Sequence, residues 1–283
     1  MKKFFNTAIL TMVFALLSIA ASAQNDENLV LTNQELSEKG QLLRDSLTEQ
    51  ELNDSLCRAN TSAEIEALLH AGADPNYRTD EGDSPLCNAV EKGLKKGTAL
   101  LIDFGAQNLS EALRCAPDGT FVDLLIKNGA DVNWANKNGT ALNIQAVDNY
   151  EATEALLRNG ADPNSIDSIN GTTPLYDTVE PKIANLLRKY GADVNFQATS
   201  GNCIGTTSLI TATIFHRYDV AETYLDIDKK KITEADFKKM ANPFIKDNNN
   251  LMAIDYVPKG DRPFRRILKR YMRRYKACAK QFK

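Results

Sequence analysis

The chain has 283 residues, 43% of them hydrophobic and 25% charged, with 15 Gly and 9 Pro. These are the proportions of a folded globular protein and exclude a disordered chain, a collagen and a multi-span membrane protein. The formal net charge is only −3, but Lys259–Lys283 carries eleven Lys/Arg against Asp261 alone, so the rest of the chain is strongly acidic.

Lys2 and Lys3 precede a mostly apolar stretch of 14 residues, Ala8–Ala21, and Ala21-Ser22-Ala23 supplies the small-x-small site of a signal peptidase. Fourteen helical residues reach ~21 Å, short of a ~30 Å hydrocarbon core. Residues 1–23 therefore read as a cleavable leader with Gln24 as the new N-terminus, set against the alternative of an uncleaved anchor. The expected location is periplasmic or secreted. Residues 24–47 read as an N-terminal extension, and the folded domain as 48–283.

Thr48-Glu49-Gln50-Glu51 is a capping box that starts a helix running through Ala59. Thr61-Ser62-Ala63-Glu64 is a second such box, and Gly72-Ala73-Asp74-Pro75-Asn76 closes the helix that follows it. That closing segment recurs as GADVN at Gly129–Asn133, GADPN at Gly160–Asn164 and GADVN at Gly191–Asn195, with a weaker copy at Gly105-Ala106-Gln107-Asn108. The glycines are spaced 33, 24, 31 and 31 residues apart. Upstream of them lie Leu68-Leu69, Leu101-Ile102, Leu125-Ile126, Leu156-Leu157 and Leu186-Leu187. Ser84-Pro85-Leu86, Thr140-Ala141-Leu142 and Thr173-Pro174-Leu175 open further short helices, with Ser84 and Thr173 as N-caps before a first-turn Pro.

Each element has a physical reason. The leucine pair turns one stripe of the second helix inward, and Gly ends that helix in a left-handed conformation. Asp and Asn side chains are expected to satisfy backbone groups of their own turn. One helix–turn–helix unit cannot bury its apolar face alone, so units must stack.

In its period, its Thr-Pro-Leu opening and its Gly-Ala-Asp-x-Asn closing the chain resembles the ankyrin repeat family over about 200 residues. The resemblance implies an all-α solenoid of about six to seven helix–turn–helix units with short β-hairpin tips. The units fall at 52–76, 77–108, 109–133, 134–164, 165–195 and 196–227, and Asn250–Tyr256 with the helix after it reads as a last one. Leu109–Asn133 is only 25 residues long and is expected to lack its hairpin. Asp228–Asn249 reads as an insertion with a short helix from about Thr233, and 262–280 as a basic capping helix. No copy keeps the His that the family usually places after Thr-Pro-Leu and that ties one repeat to the next. Cys87, Asn143 or Tyr176 stands there instead.

The five cysteines are odd in number and form no C-x-x-C pair, which gives zinc or thioredoxin-like chemistry no support. Cys57 and Cys87 occupy equivalent sites in adjacent units. Stacked helices ~8–10 Å apart exceed the ~4.4–6.8 Å span of a disulfide, so these, with Cys115 one position offset, are expected as buried free thiols. A bridge involving Cys203 or Cys278 stays open. His70 in a second helix and His216 in a first helix lack acidic or thiol neighbours at ligand spacing. There is no phosphate loop, no H-E-x-x-H and no G-x-S-x-G elbow. Gly201-Asn202-Cys203-Ile204-Gly205 reads as a turn with an incidental thiol. Asp226-Ile227-Asp228 fails as a calcium loop because Lys231 and Phe237 replace the required Gly and Glu. No catalytic residue, metal ligand or cofactor is assigned, and nucleic acid is not the expected partner of an acidic body.

The resemblance implies instead a non-catalytic module that grips another protein with hairpin tips and the concave face of the first helices. On this chain the tip positions are Arg78, Asp80, Glu81 and Asp83, then Ala135, Lys137 and Asn138, then Ile166, Ser168 and Ile169. Ile166 and Ile169 are either partner contacts or folded back into the core. Trp134 is either an interface anchor or a filler beside the shortened unit. An acidic body suits a partner with a basic surface, including a basic toxin or enzyme to be inhibited. In the last helix Phe264, Ile267, Leu268, Tyr271, Met272 and Tyr275 form one apolar stripe, and Arg265, Arg266, Lys269, Arg270, Arg273, Arg274 and Lys276 take the other face. Either this helix lies on an anionic membrane surface or its stripe docks on the array and its charges face water.

Overall fold

The computed structural model describes residues 33–225 and 232–282, with side chains from residue 38. The leader read at 1–23, the first part of the extension and the Asp226–Lys231 segment lie outside the described residues. The chain divides into two compact units, Met1–Asp131 and Val132–Lys283. Both are helical, as the repeat pattern implies. Among the described residues, no helix is long and apolar enough to cross a membrane.

In the first unit α1 (Asn33–Ser46) precedes the pairs α2 (Glu49–Arg58) and α3 (Ser62–His70), then α4 (Pro85–Glu91) and α5 (Lys95–Asp103). A third, hairpin-less pair follows, α6 (Leu109–Ala112) extended by a 3-10 turn (Leu113–Cys115), and α7 (Gly119–Lys127). First helices stack on first helices and second on second, α2 on α4 and α3 on α5. The Thr48–Glu51 capping box forms as read. In its neighbour Thr61 caps Glu64, but the Glu64 carboxylate reaches back to the Asn60 N–H at 2.7 Å.

Residues 33–46, read as part of an extension, are an integral helix. α1 packs along α3, burying Leu43, and Gly40 comes so near the His70 carbonyl that a β-carbon would lie 3.1 Å from its oxygen. The Arg44 guanidinium donates to the carbonyls of Ala71 and His70 at 3.1 and 3.2 Å, satisfying the open C-terminal end of α3.

The second unit opens on a hairpin, β1 (Ala135–Asn136) with β2 (Gly139–Thr140), paired antiparallel as Ala135 with Thr140 and Asn136 with Gly139. The pairs are α8 (Ala141–Gln145) with α9 (Tyr150–Arg158), α10 (Pro174–Asp177) with α11 (Pro181–Lys189), and α12 (Ser208–Ile214) with α13 (Tyr218–Leu225). After α14 (Glu234–Lys238) come α15 (Ala253–Tyr256) and α16 (Arg262–Phe282). Thr173 stands at the N-cap of α10, but its hydroxyl caps nothing. In so short a helix the Tyr176 N–H bonds to the Thr173 carbonyl instead.

The core is the leucine stripe. Leu68, Leu101, Leu125, Leu156 and Leu187 are fully buried, at about 0.8 kcal/mol per buried CH₂. The second helices α3, α5, α7, α9 and α11 end in left-handed glycines: φ is +95° at Gly72, +93° at Gly105, +101° at Gly129, +89° at Gly160 and +99° at Gly191.

The turn asparagines serve a different role from the one read in the sequence. The aspartate caps its own loop: Asp162 accepts from the Asn164 N–H and Asp193 from the Asn195 N–H. The asparagine crosses to the next loop. Asn133 donates to the Gly160 carbonyl at 3.1 Å and accepts from the Asp162 N–H at 2.8 Å. Asn164 repeats this with Gly191 and Asp193 at 3.1 and 2.7 Å, and Asn76 with Gly105 and Gln107 at 3.0 and 2.9 Å. Asn195 finds Met240 and Asn242, at 3.0 and 2.6 Å. Met240-Ala241-Asn242-Pro243-Phe244 therefore occupies the closing-loop place, with Asn242 capping the Phe244 N–H as an aspartate does elsewhere. The end of the segment read as an insertion at 228–249 is thus part of the repeat pattern, and Asp247–Leu251 is the following tip.

Two of the side chains that stand in place of the expected His also bridge repeats: the Asn143 amide donates to the Ser165 carbonyl at 3.1 Å, and the Tyr176 and Thr206 hydroxyls meet at 2.5 Å. The third, Cys87, meets the Asn108 amide of its own repeat at 4.0 Å.

Replacing Asn164 with Ala removes two cross-repeat hydrogen bonds, each worth ~0.5–1.5 kcal/mol. The urea midpoint is expected to fall by the equivalent of about 1–3 kcal/mol. Asn128→Ala, which loses only a bond to the Leu124 carbonyl in its own helix, is expected to change stability by less than half as much.

Candidate binding surface

The tip in the first unit is built on Thr79, whose N–H donates to the Asp83 carbonyl at 3.1 Å while its hydroxyl accepts from the Asp83 N–H. Asp80, Glu81 and Asp83 are exposed on it. Arg78 is exposed too, but its guanidinium is committed: it donates to both carboxylate oxygens of Glu111 and to the Gly82 carbonyl. Glu111 lies in α6 of the hairpin-less repeat, so Arg78 acts as a brace and not as a free cation.

In the second unit Trp134 is half-buried at the entrance to β1, and Lys137 and Asn138 are exposed at the turn, where Asn136 accepts from the Asn138 N–H at 2.8 Å. The next tip turns around Asp167. This carboxylate points inward and accepts from the N–H groups of Ile169 (2.7 Å) and Asn170 (3.1 Å) and from the Thr172 hydroxyl (3.1 Å). With Asp167 on the inside, Ile166 and Ile169 remain outside, 49% and 52% exposed. They do not fold into the core.

Neighbouring tips are linked to one another. The Ser168 hydroxyl donates to the Lys137 carbonyl at 2.9 Å, the Ser200 hydroxyl to the Ile169 carbonyl at 3.1 Å, and the Thr199 N–H to the Gly171 carbonyl at 3.0 Å. Ser168, read as a contact residue, is therefore a link between tips. Lys137, Asn138, Ile166 and Ile169 come together on one edge of this unit; Asp80, Glu81 and Asp83 belong to the first. Sequence reading missed Asp167, Thr199 and Ser200, and an Asp-x-x-x-x-Thr spacing around Ile169 was the available sign. It also missed a groove of about 680 Å³ beside α9 and α11, lined by Tyr150, Glu154, Lys182, Asn185, Leu186 and Lys189.

α16 docks its stripe on the last repeat. Phe264, Leu268 and Tyr271 are buried, Phe264 stacks on Tyr218 with centroids 4.1 Å apart, and the Tyr271 hydroxyl donates to the Ala241 carbonyl at 2.7 Å. Tyr275 packs against Phe237 at 5.0 Å. The cations lie along the outer side, where Arg262, Arg265, Arg266, Lys269, Arg270 and Arg273 line a groove of about 470 Å³. Arg265 also donates to the Val257 carbonyl, and Arg274 is half-buried.

The decoy residues have structural surroundings. His216 is not within the first helix but just past α12, with φ +57°, and its Nδ1 lies 2.7 Å from the Tyr218 hydroxyl. Cys203 ends a 3-10 turn, its carbonyl accepting from the Thr206 hydroxyl at 2.6 Å. All five cysteines are free thiols. Among the described residues, no group of three His, Cys, Asp or Glu is arranged to hold a metal ion.

Residues 109–198 match a family described as ankyrin repeats, in three copies. The chain is 32% identical over 131 residues to one ankyrin repeat protein of Acanthamoeba polyphaga mimivirus, covering 37% of this chain and 23% of that protein. A second from the same virus is 30% identical over 148 residues, covering 50% and 16%. The chain thus spans less than a quarter of the length of these relatives.

Burial raises the proton affinity of Asp167, but the Asn170 and Ile169 N–H groups and the Thr172 hydroxyl outweigh it and hold the carboxyl below its ordinary range. The folded tip then binds this proton less readily than the unfolded chain does. Its contribution is complete above the unfolded value of about 3.9 and is lost as the pH falls through the depressed folded one. Amide exchange at Ile169 and Asn170 is expected to accelerate in that acid window, and in Asp167→Ala to be fast already at neutral pH.

Proposed function

Because this chain belongs to the ankyrin-repeat family, whose repeats mediate protein–protein interaction, we propose that it is a non-catalytic module that holds a protein partner against its tips. The observation that carries this reading is the pair Ile166 and Ile169, about half exposed on a tip whose inward place Asp167 already fills. Apolar side chains held outward on a braced turn resemble the centre of an interface, and Lys137 and Asn138 give it a polar rim. The braces to Lys137 and Ser200 reduce the ordering cost of binding. Gln24–Pro258 holds 21 basic and 36 acidic residues, which favours a partner with a basic surface, such as a toxin or enzyme that the module would inhibit. The leader-like sequence of residues 1–23 supports binding outside the cytoplasm in the same reading.

A second reading rests on α16. Of its six groove-lining cations Arg265 is tied to the Val257 carbonyl, and the other five offer a surface for anionic lipid headgroups even with the apolar stripe docked.

A variant with Lys137, Ile166 and Ile169 changed to Ala is expected to lose a protein that the wild-type chain retains from a cell-envelope extract, while a variant with Arg266, Arg270 and Arg273 changed to Glu keeps it. Equal retention by the tip variant would remove the tips from the proposal. In co-sedimentation with phosphatidylserine vesicles at low salt, the wild-type chain is expected to pellet and the charge-reversed variant to stay in solution. Each phosphate-neutralising cation contributes ~1 kcal/mol near the surface. Pelleting that survives high salt would exclude this electrostatic reading.

A further inference from the structure

We infer that Cys87 and Cys115 are a redox-active pair, placed to close into a disulfide across the repeat that lacks its hairpin. Cys87 lies in α4 and Cys115 ends the 3-10 turn after α6, and these elements pack directly against each other. The two side chains are close enough that each shifts the proton affinity of the other. Both are half-buried and line one open cavity of about 250 Å³, beside Ser84, Glu111 and Arg114. The opening follows from the sequence: Leu109 starts α6 directly after Asn108, so no tip residues cover the thiols.

The other cysteines are placed differently. Cys57 is buried, its sulfur 3.8 Å from the Asp83 carbonyl, and burial together with the charges of Asp54 and Asp83 pushes its thiol up to about 12. Cys203 and Cys278 belong to the other unit.

The pair is asymmetric. The neighbouring Cys115 holds the Cys87 thiol below its ordinary range against the effect of burial, while Cys87 and burial push Cys115 up. Cys87 is therefore the first nucleophile. Its thiolate attacks one sulfur of a small-molecule disulfide such as oxidised glutathione. That S–S bond breaks, and one glutathione thiolate leaves and takes up the proton lost by Cys87. Cys115 then loses its proton and attacks the Cys87 sulfur of the mixed disulfide, which releases the second glutathione as a thiol. Two protein thiols are oxidised and one small disulfide is reduced to two thiols. An extracytoplasmic location would supply such oxidants.

The test uses the full chain incubated with oxidised glutathione, alkylated and mapped by mass spectrometry without reduction. The expected products are a Cys87–Cys115 linked peptide and a raised melting temperature that dithiothreitol reverses. Cys115→Ser should stop at glutathione on Cys87, whereas Cys203→Ser should link as the wild type does. Wild-type chain in which both thiols stay open to alkylation, or in which each carries glutathione without linking, would overturn the inference.

Discussion

Both units depend on a side-chain amide that faces two ways. In the closing loop of a repeat, the asparagine carbonyl takes a backbone N–H of the next loop while its NH₂ group gives to a carbonyl two residues earlier. A carboxylate lacks the donor and a hydroxyl lacks the reach, so only Asn or Gln chemistry satisfies both backbone groups at once. The helices joined in this way have four to ten residues, far below what is stable alone in water. Their leucines supply the driving force, which is non-directional. The amide sets the register in which one helix pair meets the next. Where no preceding loop supplies an asparagine at the fifth place, a first-helix side chain substitutes: Asn53 accepts from the Asp74 N–H at 2.7 Å and Ser110 from the Asp131 N–H at 2.8 Å.

A need for polar partners also explains the tolerance for losing the expected histidine. Asn143, Tyr176 and Cys87 have little in common except a polar atom at the right height on the first helix. Asn143 and Tyr176 meet a carbonyl and a hydroxyl of the next repeat, and Cys87 an amide of its own. The requirement is that buried polar groups be satisfied, and several side chains meet it.

What was legible in the residues was what is local. Helix starts, the left-handed glycines, the leucine stripe and the missing hairpin at Leu109 all follow from a few consecutive positions, and the structure places them as read. Contacts between loops about thirty residues apart were not legible. Asn133 and Asn164 carry no mark that they reach outward and not back. Arg78 looks like a free tip cation because its partner Glu111 lies in the next repeat and is reachable only where that repeat has no hairpin. α1 was missed because its Leu43 and Arg44 meet α3, which comes later and carries no matching motif. The Met240–Phe244 loop was hidden by Met in the glycine place. For the candidate site, the residues of the tips were visible, but their division into contact and brace was not. Ser168 and Ile169 are adjacent, and only the fold shows that one is tied to Lys137 and the other faces out.

The loop at Met240 also bears on how such a chain can grow. Asn195 and Met240 are 45 residues apart, whereas Asn164 and Gly191 are 27 apart, yet the same amide makes the same two bonds. The entropy of closing a loop rises only with the logarithm of its length, so the extra residues cost roughly 0.5 kcal/mol, no more than a single hydrogen bond of the pair that closes it. The junction between a second helix and its closing loop is therefore a permissive point. New sequence can enter there, acquire its own helix as α14 has, and evolve under its own constraints, while the stacked repeats on either side keep their register.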